Sequence, residues 1–491
     1  MKYLAFDLGA SSGKMMLANL DQGKMNIKLL HRFPNRQVLI NGALYWDIIH
    51  IFQNLKLGLD KAIQEVHEPF SLGIDSFCND FGLIDRNGFL MSQVRCYRDA
   101  RTDRRQKEIY QKVPEEELYQ RTGAQIALFN TGMQMASMVL EGDTHLLDEC
   151  DCALLIPDLL TYFLSGEKHT EYTLASVTQL MDWKDDRWAA DLMKRLGVRP
   201  DVFPEIIQTG TVSGKVSAKL NPEIGDADVQ IVAVPGHDTA SAVAALPTEK
   251  EHVAYISSGT WSLVGTEVLK PVINEKAYEY NIAYEGGIDH RYRMIKNVMG
   301  LWILQECCHD YELRTHQSCT FELVDREVEK AEPLRFFIDP DDQEFYMPGN
   351  MLNKVADFCE KTGQERPESF GQIVRCVLES LAMKYRYAFD VIEEIIGYEL
   401  PEIYILGGGG QNRMLDQFVA NACRRTVYAG PSEAALAGNV LSQMQSTGEI
   451  SDLKEGRQII RNSFEVLEFE PCRQTVWEDK YQNFRKLIKT K

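Results

Sequence analysis

No run of about 18 uncharged apolar residues occurs anywhere in the 491-residue chain, so a membrane-spanning helix is not expected. The opening residues, Met1-Lys-Tyr-Leu-Ala-Phe-Asp7, lack the long apolar core and small-residue cleavage site of a signal peptide and read as a strand. Positive charge is short as well. The 53 Lys and Arg against 72 Asp and Glu leave a net charge of −19, which argues against nucleic acid or anionic membrane as a partner. The eleven cysteines form no zinc pattern: Cys307 and Cys308 are adjacent, and Cys150-x-Cys152 has no matching second pair. An odd count without an export signal points to reduced, mostly buried thiols in a cytoplasmic protein. Low-complexity segments are absent too.

What is present is an ordinary globular composition, 44% apolar and 25% charged, in a chain too long for one core. Two domains are expected, residues 1–246 and 247–491, joined near the polar stretch Leu246-Pro-Thr-Glu-Lys-Glu251. Period-two alternation at residues 3–8, 14–20 and 25–33 predicts an antiparallel meander. Ile48, Phe52, Leu55, Leu59, Ile63 and Val66 recur at helical spacing behind a cap at Asp47. A strand at residues 70–75 and a hairpin turning at Asp85-Arg-Asn-Gly88 follow. The same order returns later: strands at 252–257 and 261–267, a long helix at 372–396 and a strand at 402–406. A glycine run, a helix from Asn412, a strand at 426–429 and a helix begun by Pro431 complete the second series. Two copies of strand–turn–strand, helix and strand imply duplicated α/β domains flanking a cleft.

Four segments carry the chemistry. Residues 229–234 form an apolar run entering Pro235-Gly-His-Asp238, ahead of the small-residue helix Thr239-Ala-Ser-Ala-Val-Ala-Ala245. That places Asp238 where strands of an α/β sheet end and ligands sit, so it can take a proton from a hydroxyl receiving phosphate. Asp238 can equally cap the helix, while His237 suits a hydrogen bond to a sugar hydroxyl. In Asp7-Leu-Gly-Ala-Ser-Ser-Gly-Lys14, positive φ at Gly9 and Gly13 would let backbone N–H groups converge on an anion. Ser11, Ser12 and Lys14 add donors, and Asp7 can hold Mg²⁺ through water. Such local donors are needed, because the bulk charge repels a nucleotide. Ile256-Ser-Ser-Gly-Thr-Trp-Ser262 is a second hydroxyl-rich turn, with Thr260 at its tip. Gly407-Gly-Gly-Gly-Gln-Asn412 would let a flat ring approach the backbone. Each segment also has a bland reading as a turn, cap or loop.

Together these pieces resemble the FGGY carbohydrate kinases, within the ribonuclease H-like fold class of actin, hexokinase and the 70-kDa heat-shock ATPases. The resemblance spans essentially the whole chain and is greater to the rhamnulokinase branch than to glycerol or xylulose kinases. It rests on Asp7-Leu-Gly-Ala-Ser-Ser-Gly13, Tyr45-Trp-Asp47, Gly73-Ile-Asp75, Asp80-Phe81 and Tyr97-Arg-Asp-Ala-Arg-Thr102. It continues through Ile156-Pro-Asp158, Glu171-Tyr-Thr173, Pro235-Gly-His-Asp-Thr-Ala240, Ser258-Gly-Thr-Trp-Ser262, Gly407-Gly-Gly409 and Gln411-Asn412. The resemblance implies that Asp238 is the general base and that Asp7 lies near Mg²⁺. It implies ATP contacts at Ala10, Ser11, Ser12, Gly13, Lys14, Thr260, Gln305 and Gly408. Cys78, Asp80, His237, Asp238, Thr239 and Asn297 would line the sugar site. Asn297 and Gln305 stand eight residues apart, close to two turns, so a single helix face could present both. Where rhamnulokinases commonly carry Gly-Val before Asp-Phe, this chain has Cys78-Asn79, which can alter the choice of ketose.

The implied reaction is ATP- and Mg²⁺-dependent phosphorylation of the C1 hydroxyl of L-rhamnulose, with domain closure excluding water. L-fuculose or L-xylulose is the same-class alternative. A non-catalytic ATP-dependent interaction protein, as in the heat-shock branch, is the alternative from another class. A dinucleotide-linked oxidoreductase is disfavoured, because Gly9-x3-Gly13 lacks the Gly-x-Gly-x-x-Gly spacing. A monomer and a homodimer are both compatible with the chain.

Overall fold

In the computed structural model, residues 1–472 and 474–488 are described. They form two compact units, each α/β. One comprises Met1–Glu249, Val268–Arg293 and Ala434–Phe464; the other comprises Lys250–Glu267, Met294–Glu433 and Glu465–Lys491. Two segments from late in the chain thus belong to the first unit. Among the described residues, no helix is long and apolar enough to cross a membrane.

The first unit is built on a six-stranded sheet. Strands Lys2–Leu8, Ser12–Asp21 and Lys24–Pro34 form the expected meander. Lys2–Leu8 also pairs in parallel with Phe70–Ser76, which in turn pairs in parallel with Val229–Val232. A strand covered on both faces needs apolar side chains at successive positions rather than alternation, and residues 3 to 6 are all buried. Helix Ile48–Glu65 lays Ile51, Leu55, Leu59 and Ala62 into the same core as Leu4, Phe6 and Phe70. The Asp47 carboxylate caps it by accepting from the His50 N–H. Helix Ala434–Ser446 also joins this sheet: the Gln443 side-chain amide donates to Leu4 O at 3.0 Å and accepts from Ser71 Oγ at 2.6 Å.

The turn at residues 85–88 forms, with Gly88 N donating to Asp85 O. Its strand Phe81–Ile84, however, takes Cys152–Leu155 as its main partner. The local hairpin forms as well, with Asp85 N donating to Phe89 O, Met91 N donating to Leu83 O and a bridge from Ile84 to Leu90. Phe81, Leu83, Leu155 and Met135 share a second apolar cluster, which the long-range pairing buries.

The second unit repeats the plan. Ala254–Ser258 pairs antiparallel with Trp261–Val268 and parallel with Glu402–Leu406, which pairs parallel with Thr426–Ala429. Helix Phe370–Ile396 begins at a full capping box, with Ser369 and Gln372 exchanging side-chain-to-backbone bonds. The strands and the long helix of the second series therefore lie where the sequence periodicity places them, whereas its last helix starts at Ala434 rather than Pro431 and belongs to the first unit.

Helix Ala434–Ser446 lies close against helix Asp238–Ala244 at Gly438, where an added Cβ would stand 1.7 Å from the Ser241 carbonyl oxygen. Backbone cannot yield there as a flexible side chain can. Gly438→Ala is expected to lower unfolding free energy by roughly 1–3 kcal/mol or more, read by urea denaturation. An unchanged midpoint would refute the close approach.

Candidate active site

Asp238 opens helix Asp238–Ala244, with His237 at the N-cap position. His237 Nδ1 and Asp238 Oδ1 are 3.0 Å apart, and Thr239 N lies 2.6 Å from Asp238 Oδ1 and 3.1 Å from His237 Nδ1. One acidic and one basic side chain therefore compete for the same backbone N–H. The Asp238 side chain is 36% exposed, whereas that of His237 is 7% exposed. A substrate can reach the carboxylate while the imidazole stays within the protein. Burial alone would raise the Asp238 pKa, but the His237 and Thr239 donors hold it below the usual carboxylate range. Burial and Arg293 oppose a charged His237; Cys78 and Asp238, within hydrogen-bond reach, outweigh them and raise its pKa to about 10.

The turn bearing these residues is fixed by a carboxylate that sequence reasoning gave no role. Glu171 Oε2 accepts from Gly236 N at 3.1 Å, Thr173 N at 2.9 Å, Thr173 Oγ1 at 2.5 Å and Leu174 N at 3.2 Å. Its other oxygen accepts from Thr209 Oγ1 at 2.5 Å. Thr173 Oγ1 then accepts from His237 N at 3.2 Å. From the opposite side, Ser76 N donates to Gly236 O at 2.9 Å. The motif Glu171-Tyr-Thr173 was visible in the chain; its link to Gly236, 65 residues away, was not.

Asp7 sits on the strand next to Asp75, directly opposite it in register, with Lys14 opposite on the other side. Asp75 is fully buried; its Oδ2 accepts from Asn439 Nδ2 at 2.6 Å and its Oδ1 has no hydrogen-bond partner. Burial first, and then repulsion from Asp7, raise its pKa well above the ordinary value. Among the described residues, no three His, Cys, Asp or Glu side chains are arranged to hold a metal ion. A crowded acidic pair without a protein cage fits Mg²⁺, which keeps several waters and needs few carboxylates.

The first hydroxyl-rich turn is closed by Gly9 N donating to Ser12 O, and is held by Asn35, whose N donates to Ser11 O and whose Nδ2 donates to Gly9 O. Contrary to the sequence expectation, neither Gly9 nor Gly13 has positive φ. Glycine is needed at 13 for packing, since a Cβ there would lie 2.2 Å from the Phe33 ring. Lys14 lies on strand Ser12–Asp21 rather than in the turn.

In the second unit, Gly259 N donates to Trp261 O, closing the turn that carries Thr260. Gly300 N and Trp302 N donate to Thr260 O, and Leu301 N donates to Gly259 O. This turn is thereby bolted to the start of helix Trp302–Thr315, which bears Gln305. Asn297 lies on strand Tyr292–Met299 instead, so the expected common helix face for Asn297 and Gln305 does not exist. Gly300 lies between the two elements, so close to the turn that an added Cβ would be 2.8 Å from Gly259 O. Gly408 lies in the turn before helix Arg413–Cys423, exposed and with open space where a side chain would project.

Cys78 and Asn79, expected at the sugar site, precede strand Phe81–Ile84. Asn79 has φ of +78° and its Nδ2 donates to Cys78 Sγ at 3.2 Å. The Asp80 oxygens are taken up by Trp46 Nε1 at 2.6 Å, Tyr97 N at 3.0 Å and Gln134 Nε2 at 2.9 Å. Asp80 therefore anchors the segment from within. The structure brings Asp238, His237, Thr239, Cys78, Asp7 and Asp75 together in the first unit, and joins Thr260 to the Gln305 helix in the second.

Comparisons with known proteins agree with this architecture. The N-terminal domain of the FGGY family of carbohydrate kinases matches residues 2–245, and its C-terminal domain matches residues 254–446. A rhamnulokinase from Oceanobacillus iheyensis is 39% identical over 464 residues, 94% of this chain and 97% of that protein. One from Bacteroides thetaiotaomicron is 35% identical, covering 99% of each. A gluconate kinase structure from Lactobacillus acidophilus superposes with a TM-score of 0.81 at 15% identity, covering 99% of this chain and 97% of that one. At that identity it shows the fold.

Replacing His237 with Ala removes the side-chain donor that offsets Asp238 burial. The Asp238 pKa is depressed in the folded protein, so its contribution to stability is present above the ordinary carboxylate range and is lost as pH falls through the folded value. In His237→Ala that loss, and the carboxyl titration followed by ¹³C NMR, should occur at higher pH. A titration no higher than that of the unmodified protein would contradict the assigned pairing.

Proposed function

Since the chain belongs to the FGGY family of carbohydrate kinases and is a sugar phosphotransferase, we propose that its reaction moves the γ-phosphoryl group of ATP to the C1 hydroxyl of L-rhamnulose. The observation carrying the reading is the Asp238 carboxylate: reachable, ionised at neutral pH, and engaged through Oδ1 by Thr239 N and His237 Nδ1. Oδ2 is left to accept the hydroxyl proton as the oxygen attacks phosphorus. Full-length similarity to proteins named rhamnulokinase supports the choice of ketose.

Cys78, Asp80, His237, Thr239 and Asn297 are the proposed sugar-side residues, with Asp80 acting through Trp46 and Tyr97. Ala10, Ser11, Ser12, Gly13, Lys14, Thr260, Gln305 and Gly408 are the proposed ATP contacts. Asp7 would hold Mg²⁺ through water, and the ion would neutralise charge on the outer phosphates. The proposed working division is 1–246 for the sugar pocket, the base and the first phosphate turn, and 247–491 for the second phosphate turn and the adenosine site, with Val268–Arg293 and Ala434–Phe464 packed into the first unit, in a cytoplasmic enzyme. Family membership displaces the interaction-protein and oxidoreductase alternatives. L-fuculose or L-xylulose stays as a second reading, because the Cys78 sulfur lies within reach of His237 and can reshape the site.

A coupled assay of ADP release over a ketose panel decides the substrate, and the position of phosphate on the product decides the hydroxyl. The highest kcat/KM is expected for L-rhamnulose; preference for another ketose would reject it. Asp238→Asn should keep ATP and sugar binding and lose about 10²–10⁴ in kcat, whereas near-normal turnover would remove Asp238 as base. Chelation by EDTA should stop turnover and added Mg²⁺ restore it; activity persisting in excess chelator would exclude the ion.

A further inference from the structure

Behind His237 lies a charge arrangement that the proposed reaction does not use. Glu285 Oε2 is 3.0 Å from Arg293 Nη2 and 3.6 Å from His237 Nε2. All three residues are buried: Arg293 is 0% exposed, Glu285 4% and His237 5%. Arg293 donates from Nε to Gly286 O at 3.0 Å. Gly286 N donates to Ser176 Oγ at 2.8 Å, which secures strand Ala283–Gly286 to helix Tyr172–Val177. One carboxylate thus stands between two basic side chains inside the protein.

Charge balance decides the state of the imidazole. Burying an unpaired charge is costly, so such groups settle into a combination that sums to zero. The groups facing His237 are Asp238, Glu285, Arg293, Cys78 and, further off, Asp75. Burial keeps the Cys78 thiol and the Asp75 carboxyl protonated to higher pH than usual. Arg293⁺, Glu285⁻ and Asp238⁻ then leave one negative charge, which a charged His237 cancels.

We propose that Glu285, anchored by Arg293, is a positioning residue that keeps His237 an imidazolium with its Nδ1 proton committed to Asp238. An imidazolium cannot accept the Thr239 N–H, so that donor goes to Asp238 Oδ1 as well. Both bonds fall on one oxygen and fix the carboxylate with Oδ2 turned to the substrate. A neutral imidazole presenting Nδ1 as acceptor would take the Thr239 N–H for itself and repel Asp238 Oδ1. Glu285 touches no substrate; it acts through His237.

The inference rests on Asp238 being the base, and the test separates the two. Glu285→Gln leaves Arg293⁺ and Asp238⁻ balanced without a charge on His237, which should lose its proton as pH rises. Its kcat is expected within about threefold of the parent at pH 6 and at least about tenfold lower by pH 8.5, with sugar KM changing less. The double variant Glu285→Gln, Arg293→Met restores the balance with a charged His237 and should recover most of the loss at pH 8.5. A merely structural role predicts a pH-independent loss without recovery, and that result, or no loss, overturns the proposal. If the single variant fails to fold, ¹⁵N NMR of His237 in the unmodified protein decides: both ring nitrogens protonated at pH 8 supports it, and a neutral ring overturns it. Normal turnover by Asp238→Asn would sink the base reading, while the NMR result would still judge the imidazolium.

Discussion

Everything in the first unit's site depends on Glu171. Four donors converge on one of its oxygens and a fifth on the other, and the carboxylate is 2% exposed. Hydrogen bonds to a charged acceptor contribute roughly 1.5–3 kcal/mol each, and an unsatisfied partner costs more than the bond yields. Gly236 N is one of these donors, and His237 N is held by Thr173, itself bound to Glu171. The backbone before Asp238 is therefore set by an acid from a distant segment, and the proposed base inherits its position from that acid. Burial raises the Glu171 pKa, and its donors oppose the rise.

A second theme is repetition with altered use. Both units open with an antiparallel pair whose first strand runs parallel to a later one. In both, the tight turn of that pair is held by backbone bonds to another segment: Asn35 in the first, residues 300–302 in the second. Neither turn depends on left-handed glycine. Each places hydroxyl side chains on a turn fixed by hydrogen bonds, a geometry that suits the proposed phosphate contacts.

Local pattern made much of this legible. The meander, the helix capped by Asp47, the capping box at Ser369 and the second series of strands all follow from periodicity and caps. Asp238 stood out because an apolar run and a small-residue helix bracket it. What could not be read was long-range pairing. Strand Phe81–Ile84 showed its local hairpin but not its second partner, because the turn residues are local and Cys152–Leu155 is not. The spacing of Asn297 and Gln305 imitated a helix, although Gly300 divides a strand from a helix between them. Glu285, Arg293 and Asn439 gave no signal, since a buried ionic or amide partner looks like any surface polar residue until the chain is folded. The role of Asp80 was half visible: its motif was recognised, but the three donors that occupy it lie 17 to 54 residues away.

Gln443 has a bearing on how the protein comes into being. The sheet that carries Asp7 and Asp75 is finished by an amide lying more than 430 residues downstream of Leu4, with Asn439 beside it. A ribosome-bound nascent chain has the N-terminal strands long before it has their last partners, and contacts of such separation form late. Until then Asp75 lacks its amide donor and Ser71 its acceptor. The enzyme's first sheet is thus completed by a late helix, so a product terminated before residue 439 would lack the amide that binds the Asp75 carboxyl.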